Sequence, residues 1–398
     1  MKQMTEWSSQ LDRWLEPFLE VLGDKRRRKW APLYLMGLLL PGERKSMEPI
    51  SERVAPDDIE QIHHFVSTSR WDPAPLEEVL CEKVDAMLGG PTSFLIVDDT
   101  SLPKKGTESV GVAHQYCGAL GKQANCQVLV SLTLSRDEIP AAVGLRLYLP
   151  KAWANDPERC ATVKVPTSVV YKPKWRIALD EIDRVRTSGV RFGCVLADAG
   201  YGTCGEFRRG LSERSLHWAV GILSTQNMYP EDVGLSDPPQ PRTGRRRVRQ
   251  VVAEPPQSAE KFIQAGGTFR TITWRDGTKG PMTGDFAIVR VRPADGPDTK
   301  EGVQLPGDAA WLVCERLRNG DRKYYLANLP SSTSPKRLVR AIKARWSCEQ
   351  MHQQAKEELG LDHFEGRSWL GLHHHTLLTM IAFAFLVHRR TTENKSPT

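Results

Sequence analysis

Three acidic positions in this chain have the surroundings of catalytic carboxylates. Asp98 and Asp99 end a strand-like apolar run, FLIVDD, and Asp198 ends a second such run, CVLAD, about a hundred residues later. Glu349 follows on a predicted helix. Two-metal phosphodiester chemistry requires carboxylates in such positions, because two ions roughly 4 Å apart activate the attacking oxygen and stabilise the leaving one. Hard divalent cations prefer oxygen ligands, so we expect Mg²⁺ or Mn²⁺, as two ions.

The two adjacent aspartates are not equivalent. Successive residues of a strand face opposite ways, so only one of Asp98 and Asp99 can point into the site. The strand pattern alone leaves the choice open. The other aspartate is then explained by a turn at the strand end, in which Thr100 and Ser101 add local hydrogen bonds.

The predicted helix that carries Glu349 also carries other polar residues. Arg345, Glu349, His352 and Lys356 lie at steps of four, three and four, which predicts one helix face of Arg, Glu, His and Lys. An exposed charged face is the plain explanation. With the strand-end aspartates in view, we favour a glutamate that holds a metal while its cationic neighbours hold phosphates of the same substrate.

The period of the apolar residues predicts the elements that position these acids. The first ninety residues have helical spacing, whereas from Phe94 the spacing becomes that of strands, with helices and strands alternating afterwards up to Leu223. The segment from Thr225 to Ser258 is rich in Pro, Gly and Arg and predicts an exposed basic loop, followed by further strands. We therefore predict an α/β fold: a mixed sheet flanked by helices, with an inserted mainly-β subdomain and an N-terminal helical domain. The predicted domains are 1–90, helical and DNA-binding; 91–224, the first part of the catalytic core; 225–333, the β-rich insertion with the basic loop; and 334–398, the C-terminal helical part of the core.

Composition favours a globular protein with polyanionic partners. Lys and Arg number 55 against 48 Asp and Glu, a formal charge of +7, which a mildly basic enzyme explains equally well. The eight cysteines are scattered without a CxxC pair, which predicts reduced thiols rather than disulfides or a zinc site. The start of the chain shows no signal-type stretch, and the longest apolar runs fall short of the roughly 20 residues that a spanning helix needs. We expect a cytoplasmic protein with no membrane role.

One motif points to a different function. Gly200, Gly202 and Gly205 spell GxGxxG between a predicted strand and a predicted helix, which is the context of a dinucleotide-binding turn. The next strand lacks the acid that would hold a ribose. We therefore favour glycines that let the chain turn away beneath a bound cation and DNA.

Two further clusters have structural explanations. The residues His373 to His375 enter an apolar helix and point in different directions, so we favour packing or hydrogen bonding over metal binding. Trp274 and Trp311 could stack on an unpaired base, but we favour core packing.

Long segments around the acids resemble a known family. The runs VDDTSLPKKGTESVGVAHQYCGALGKQANCQ, LADAGYG and RWSCEQMHQQAKEELGLDHFEGRSW resemble those of DDE transposases of the insertion sequence 701 family, within the insertion sequence 4 superfamily. The run YLMGLLLPGERKSMEPISERV is similar to the start of the same family, so the resemblance covers nearly the whole chain. It implies an RNase H-like core interrupted by a β insertion, with Asp98, Asp198 and Glu349 as the metal-binding triad.

The glutamate motif of that superfamily is matched with one departure. It reads Tyr, two residues, Arg, three residues, Glu, six residues, Lys, and this chain supplies Arg345, Glu349 and Lys356. Ile342 stands where the tyrosine should be, so the contact that the tyrosine would make with a phosphate or hairpin is in doubt.

The resemblance implies a cut-and-paste DNA transposase. Its partners would be double-stranded DNA, as terminal inverted repeats and target, and a second copy of the chain in a synaptic homodimer, in a bacterial cytoplasm. Two alternatives stay open: an RNase H-like nuclease without strand transfer, and a domesticated DNA-binding protein without catalysis. The predicted DNA contacts are Lys104 and Lys105, Arg345 and Lys356 beside the glutamate, Arg44 and Lys45 in GERKS, and Arg245, Arg246 and Arg247 in GRRRVR. For Lys104 and Lys105, a solvated loop is an equally good explanation.

Overall fold

The computed structural model describes most of the chain. The described residues are 2–236, 251–252, 254–277, 280–298 and 304–393. They form two compact units: Met1–Gly193 together with Trp346–Thr398, and Cys194–Arg345. The four predicted domain ranges stay a prediction.

The first unit begins with helices, as predicted. They are α1 (Lys2–Leu22), α2 (Lys25–Leu39), α3 (Met47–Val54), α4 (Ile59–Ser67) and α5 (Ala74–Leu88), with a short 3₁₀ turn at Pro56–Asp58. The turn between α1 and α2 has a local cause: Gly23 adopts a φ of +70°, and the side chain of Asp24 caps α2 by accepting the N–H of Arg26 at 2.8 Å. Buried apolar residues at spacings of three and four then fix α1 on the core, among them Leu11, Leu15 and Phe18.

Four antiparallel strands follow: β1 (Phe94–Pro103), β2 (Ala113–Cys117), β3 (Lys122–Arg136) and β4 (Ile139–Leu147). The long strand β3 has β1 along one edge and both β2 and β4 along the other. β3 is buried along nearly its whole length after Asn125, so its apolar run is nearly continuous rather than alternating.

Five further helices complete the first unit: α6 (Lys151–Ala154), α7 (Pro157–Thr162), α8 (Lys174–Thr187) and, after the second unit, α13 (Trp346–Glu357) and α14 (Trp369–Glu393). α14 is the central core helix. Within the described residues it alone is long and apolar enough to cross a membrane, and 89% of its most apolar stretch is buried inside the protein. It is longer than the apolar run alone predicted, because its polar first turns are also buried.

A buried ionic cluster joins α5 and α8 to β4. Arg146 of β4 lies 2.6 Å from a carboxylate oxygen of Glu77 and 2.7 Å from one of Glu181, and Arg184 lies 2.9 Å from Glu181. Burial opposes ionisation of Glu181, but the charges of Arg146 and Arg184 outweigh it, so its pKa is lowered. Removing one partner of such a cluster leaves a buried uncompensated charge, so these contacts fix the two helices on the sheet.

The second unit is a mixed sheet with helices. Its strands are β5 (Cys194–Ala197), β6 (Trp218–Ile222), β7 (Asn227–Pro230), β8 (Leu235–Ser236), β9 (Val251–Val252), β10 (Gln257–Ser258), β11 (Arg270–Gly277), β12 (Gly280–Asp298), β13 (Gln304–Pro306), β14 (Ala310–Arg316) and β15 (Arg322–Ala327). Its helices are α9 (Ala199–Gly202), α10 (Gly205–Glu213), α11 (Ala259–Gly266) and α12 (Pro335–Ala344).

The strands of the second unit pair in both directions. β5 and β6 are parallel, with α9 and α10 in the connection between them, whereas β6, β15, β14 and β12 pair antiparallel in that order. β12 also pairs with β7, β11 and β13. The predicted α/β fold with a mixed sheet flanked by helices is confirmed, as are the strands predicted after the basic loop.

Candidate active site

Asp98 lies near the middle of β1, and its main chain and side chain are both fixed. Ser131 of β3 stands opposite Asp98, and its hydroxyl donates to the backbone carbonyl oxygen of Asp98 at 3.0 Å. Oδ1 of Asp98 accepts the N–H of Asp99 at 2.8 Å, and Oδ2 lies 3.1 Å from Sγ of Cys348, a weak donor. The carboxylate is therefore held in one orientation.

Asp99 is directed towards a different helix. Its Oδ2 forms an ion pair with Nζ of Lys174 of α8 at 2.6 Å. Because successive residues of a strand face opposite sides of the sheet, the carboxylates of Asp98 and Asp99 meet different partners: Cys348 of α13 for Asp98, and Lys174 for Asp99.

Glu349 lies in the first turn of α13, whose inner face is attached to β3. Oγ of Ser347 donates to a serine hydroxyl of β3 at 2.9 Å. Nε2 of His352 lies 2.8 Å from Oγ of Ser131 and acts as the donor, because the serine proton is already given to the main chain of β1. Ser347, Cys348 and His352 are buried, whereas Glu349 is exposed. These contacts hold α13 beside β1 and leave the carboxylate of Glu349 accessible.

The predicted stripe of Arg345, Glu349, His352 and Lys356 does not lie on one exposed helix. α12 ends at Ala344, and Arg345 connects it to α13 with helical dihedral angles, φ −56° and ψ −33°. His352 faces β3, and Lys356 is partly buried, which lowers its pKa. The helical repeat alone could not show that His352 is buried and Lys356 partly buried, because it does not tell which part of the protein packs against that face of the helix.

Asp198 follows β5 in the second unit and caps α9. Its Oδ1 accepts the N–H of Tyr201 at 3.3 Å, and its backbone carbonyl accepts the N–H of Gly202 at 2.8 Å. A Cβ on Gly202 would lie 2.0 Å from the carbonyl oxygen of Gly221, and a Cβ on Gly221 would lie 2.8 Å from the backbone nitrogen of Ala199. Close packing of this turn against β6 therefore explains Gly202 of the GxGxxG motif without a dinucleotide.

A buried arginine supports the same turn. Arg208 of α10 is 2% exposed, and its guanidinium donates to the carbonyl oxygen of Gly202. Its Nη2 and Nε also lie 2.9 and 3.2 Å from Oδ2 of Asp295 of β12. Arg208 thus connects the turn that follows Asp198 to the β-rich part of the second unit.

Two of the predicted DNA contacts, Arg44 and Lys45, make contacts inside the first unit. Lys45 is 3% exposed, and its ammonium donates to the carbonyl oxygens of Leu38, at 2.9 Å, and Leu40. Burial lowers the pKa of Lys45 to about 8, helped by a neighbouring arginine. Arg44 is exposed and pairs with Glu365. Contact of these residues with DNA stays a prediction.

The other predicted DNA contacts have mixed environments. Nζ of Lys104 donates to the carbonyl oxygen of Phe364 at 2.5 Å, and burial lowers its pKa. Lys105 is exposed. Arg245, Arg246 and Arg247 lie outside the described residues. Their roles on DNA, like those of Arg345 and Lys356, stay predictions.

Trp274 and the histidine cluster are buried in packing and hydrogen bonding, as we favoured, whereas Trp311 is only partly buried. Trp274 is 8% exposed and packs edge to face on Phe286 at 5.9 Å, and the indole N–H of Trp311 donates to the carbonyl oxygen of Leu329 at 3.1 Å. The residues His373 to His375 are buried, and each has a ring nitrogen within 3.1 Å of a backbone carbonyl oxygen.

Sequence reasoning missed three residues that hold the acids in place. Cys348 directly precedes Glu349, so its position beside the glutamate was a usable signal. Ser131 becomes visible only when the register of β1 on β3 is known. Arg208 has no sequence signal, since its partner Asp295 lies 87 residues away.

The donor set suits a hard divalent cation. The three predicted ligands are carboxylates; Asp98 lies within β1 and Asp198 directly follows β5. Among the described residues, no three His, Cys, Asp or Glu side chains lie close enough together to form a metal site by themselves.

Comparison with known protein families identifies the class of enzyme to which the chain belongs. Residues 17–281, more than half of the chain, match the family described as DDE superfamily endonuclease, so the chain belongs to this family. Membership implies the use of a divalent metal in general.

One curated relative is described as a probable transposase. The chain is 30% identical over 197 residues to the probable transposase for insertion sequence element IS701 of Microchaete diplosiphon. The match covers 49% of this chain and spans about half of the relative, 48%. The resemblance to DDE transposases of the insertion sequence 701 family is thereby confirmed. Among solved structures, a cryo-EM structure of the piggyBac transposase synaptic complex with hairpin DNA matches with a TM-score of 0.44 and 10% identity, covering 99% of this chain and 74% of that one. A likeness this distant adds nothing to the assignment of function.

Proposed function

We propose that the protein is a DNA transposase that hydrolyses phosphodiester bonds at the ends of its element and joins the freed ends to target DNA. The observation that carries the proposal is the attachment of α13 to β1 and β3. This attachment holds Asp98 in one orientation, and Glu349, the residue that follows Cys348, is exposed. Such an arrangement supplies rigid carboxylates to a reaction that needs little covalent chemistry from the protein.

Each acid has a defined part in this proposal. Asp98, Asp198 and Glu349 would hold Mg²⁺ or Mn²⁺, and we choose Asp98 over Asp99 because Asp99 is already paired with Lys174. When bound, the two ions supply the positive charge that favours attack at phosphorus and departure of the leaving oxygen. The capping interaction of Asp198 with Tyr201 and the hydrogen bond between Asp99 N–H and Asp98 orient the carboxylates before the substrate arrives.

Basic residues would position the DNA. Lys105 is exposed beside β1, and Arg345 and Lys356 flank the glutamate in sequence. Cations at these positions would neutralise backbone phosphates and hold the element end in register without reading its sequence. Cutting two ends together requires at least two protomers, so we propose a homodimer in the synaptic complex.

The test is cleavage and joining of DNA that carries the inverted repeats flanking the protein's own gene, with Mg²⁺ or Mn²⁺. We expect cutting at the element boundary followed by strand transfer. Asp98→Ala, Asp198→Ala and Glu349→Ala should each abolish both steps while DNA binding survives.

Asp99→Asn is the matched control. It removes a neighbouring carboxylate of the same strand that is used in an ion pair, so cutting should continue. Loss of cutting in Asp99→Asn with activity retained in Asp98→Ala would reverse the choice between them. Cutting without joining would favour a nuclease, and metal-independent binding without cutting would favour a domesticated DNA-binding protein.

A further inference from the structure

Two large apolar side chains are exposed at the end of the hairpin formed by β2 and β3. Tyr116 of β2 is 61% exposed, and Leu120 of the turn is 49% exposed. In the described part of the chain, the side chain of Tyr116 makes no hydrogen bond and no contact with another ring or a cation. A single exposed apolar residue is common on a protein surface, but an aromatic ring and a leucine at one hairpin end are a candidate contact surface.

The hairpin end is held close to Asp98. Oγ of Ser101 in β1 accepts the N–H of Ala119 at 3.1 Å and lies 3.4 Å from the thiol of Cys117, a weak donor. Ser101 comes three residues after Asp98, a distance of about 10 Å along a strand. The turn that carries Leu120 is therefore fixed beside the strand that carries the proposed catalytic aspartate.

One face of the hairpin is turned to solvent. Along β2, His114 and Tyr116 are exposed, whereas Cys117 is buried. Gln123 of β3 stands opposite Tyr116 and is exposed as well, and directly opposed residues share a face of the ladder. This face therefore offers an aromatic ring, an imidazole and an amide, groups that contact nucleic-acid bases by stacking and hydrogen bonding.

The charges of the hairpin favour a nucleic acid as the partner. Residues 109–136, which contain the whole hairpin, include no Asp or Glu. Lys122 is exposed at the start of β3. Lys105 is exposed as well, one residue after Lys104, whose backbone N–H donates to the carbonyl oxygen of Asn125 in β3 at 2.9 Å. A hairpin with exposed cations and without carboxylates of its own attracts a polyanion.

We propose that Tyr116 stacks on the base that is uncovered at the cut end of the element, with Leu120 as a second apolar contact at the hairpin end. The inference rests on the proposed function, since cutting at the element boundary turns an internal base pair into a duplex end whose outer face has lost its neighbour. An aromatic ring covers such a face whatever the base, because every base has a π-face. Tyr116 is thus a positioning residue, which keeps the cut end in register beside Asp98.

The test is binding, without a divalent metal, of a duplex that carries the inverted repeat and ends at the element boundary. A second duplex is identical except that both terminal nucleotides are abasic. Tyr116→Ala should weaken binding of the first duplex by roughly fivefold to a hundredfold, which is the range for loss of one stacked base, and leave binding of the abasic duplex unchanged. Tyr116→Phe keeps the ring and should bind both duplexes as the wild type does.

Val21→Ala is the control, because Val21 is also an exposed apolar residue, 41% exposed, but lies on α1. It should match the wild type on both duplexes. Tyr116→Ala overturns the inference if it changes neither duplex or weakens both equally. A dimer that dissociates in Tyr116→Ala without DNA, measured by sedimentation, also overturns it and assigns this surface to a second copy of the chain. Failure of the wild type to bind the first duplex would instead refute the proposed function, and this inference with it.

Discussion

Replacing Arg208 by methionine should destabilise the second unit strongly. The arginine is 2% exposed and satisfies both Oδ2 of Asp295 and the carbonyl oxygen of Gly202. Methionine fills most of the volume but donates nothing, so the carboxylate of Asp295, whose side chain is 13% exposed, loses its partner. Breaking a buried pair from one side costs about 3–5 kcal/mol in the free energy of unfolding, mainly from the charge left behind.

Thermal unfolding measures this loss directly. For a unit of this size each kcal/mol corresponds to roughly 2–4 °C, so Arg208→Met should lower the Tm by about 6–20 °C. Hydrogen exchange of α9 and α10 should accelerate more than that of α14, because Arg208 fixes the turn after Asp198 and α14 belongs to the first unit.

The double variant Arg208→Met with Asp295→Leu tests the physical cause. Removing both charges leaves no buried ion, so the double variant should recover at least about half of the stability lost by Arg208→Met. The Gly202 carbonyl still lacks its donor, which prevents full recovery. A single variant that costs less than about 1 kcal/mol, or a double variant as unstable as the sum of the singles, would refute the reasoning.

Three further outcomes are expected. Cys348→Val removes the donor that lies 3.1 Å from Oδ2 of Asp98, and should lower DNA cleavage by roughly ten- to a hundredfold at fixed metal concentration. Cys348→Ser keeps a donor and should largely retain cleavage. Equal loss in both variants would contradict an orienting role for Cys348. Gly221→Ala places a methyl group 2.8 Å from the backbone of Ala199 and should cost about 1–3 kcal/mol in urea unfolding, while Gly234→Ala, with open space around it, should cost far less. Burial lowers the pKa values of the residues His373 to His375 to about 4, whereas in the unfolded chain these histidines bind protons near pH 6.5. The free energy of unfolding from urea titrations should therefore fall as the pH is lowered from about 6.5 to 4, by up to about 1.4 kcal/mol per pH unit for each histidine, and a flat profile would exclude this cause.

Much of the framework could be predicted because apolar spacing reports the period of an element. The buried residues of α1 recur at three and four, and β1 and β3 contain apolar runs too short for helices and rich in β-branched residues. The opposite directions of Asp98 and Asp99 follow from strand geometry alone, and the contacts of the two side chains with α13 and α8 agree.

Elements without such a period escaped prediction. β2, with the sequence AHQYC, is short and carries no apolar alternation, and it is a strand because β3 offers it a free edge. The hydrogen bonds that attach α13 depend on register in the same way, since Ser131 meets His352 only when β1, β3 and α13 are already assembled.

The lysines show why a basic cluster is a weak guide to DNA contact. The last carbonyls of a helix lack partners and lie at the negative end of its dipole, so an ammonium close to them is stabilised as it would be near a phosphate. Lys45 meets this condition at the end of α2. Lys104 instead donates to a carbonyl oxygen outside the helices, that of Phe364 between α13 and α14. Backbone carbonyl oxygens and phosphates both bind an ammonium group. A lysine that contacts carbonyl oxygens therefore cannot be distinguished in the sequence from one that contacts a phosphate. Exposure separates them: Lys105, one position further, has its charge in solvent and is the lysine of this pair that remains accessible to DNA.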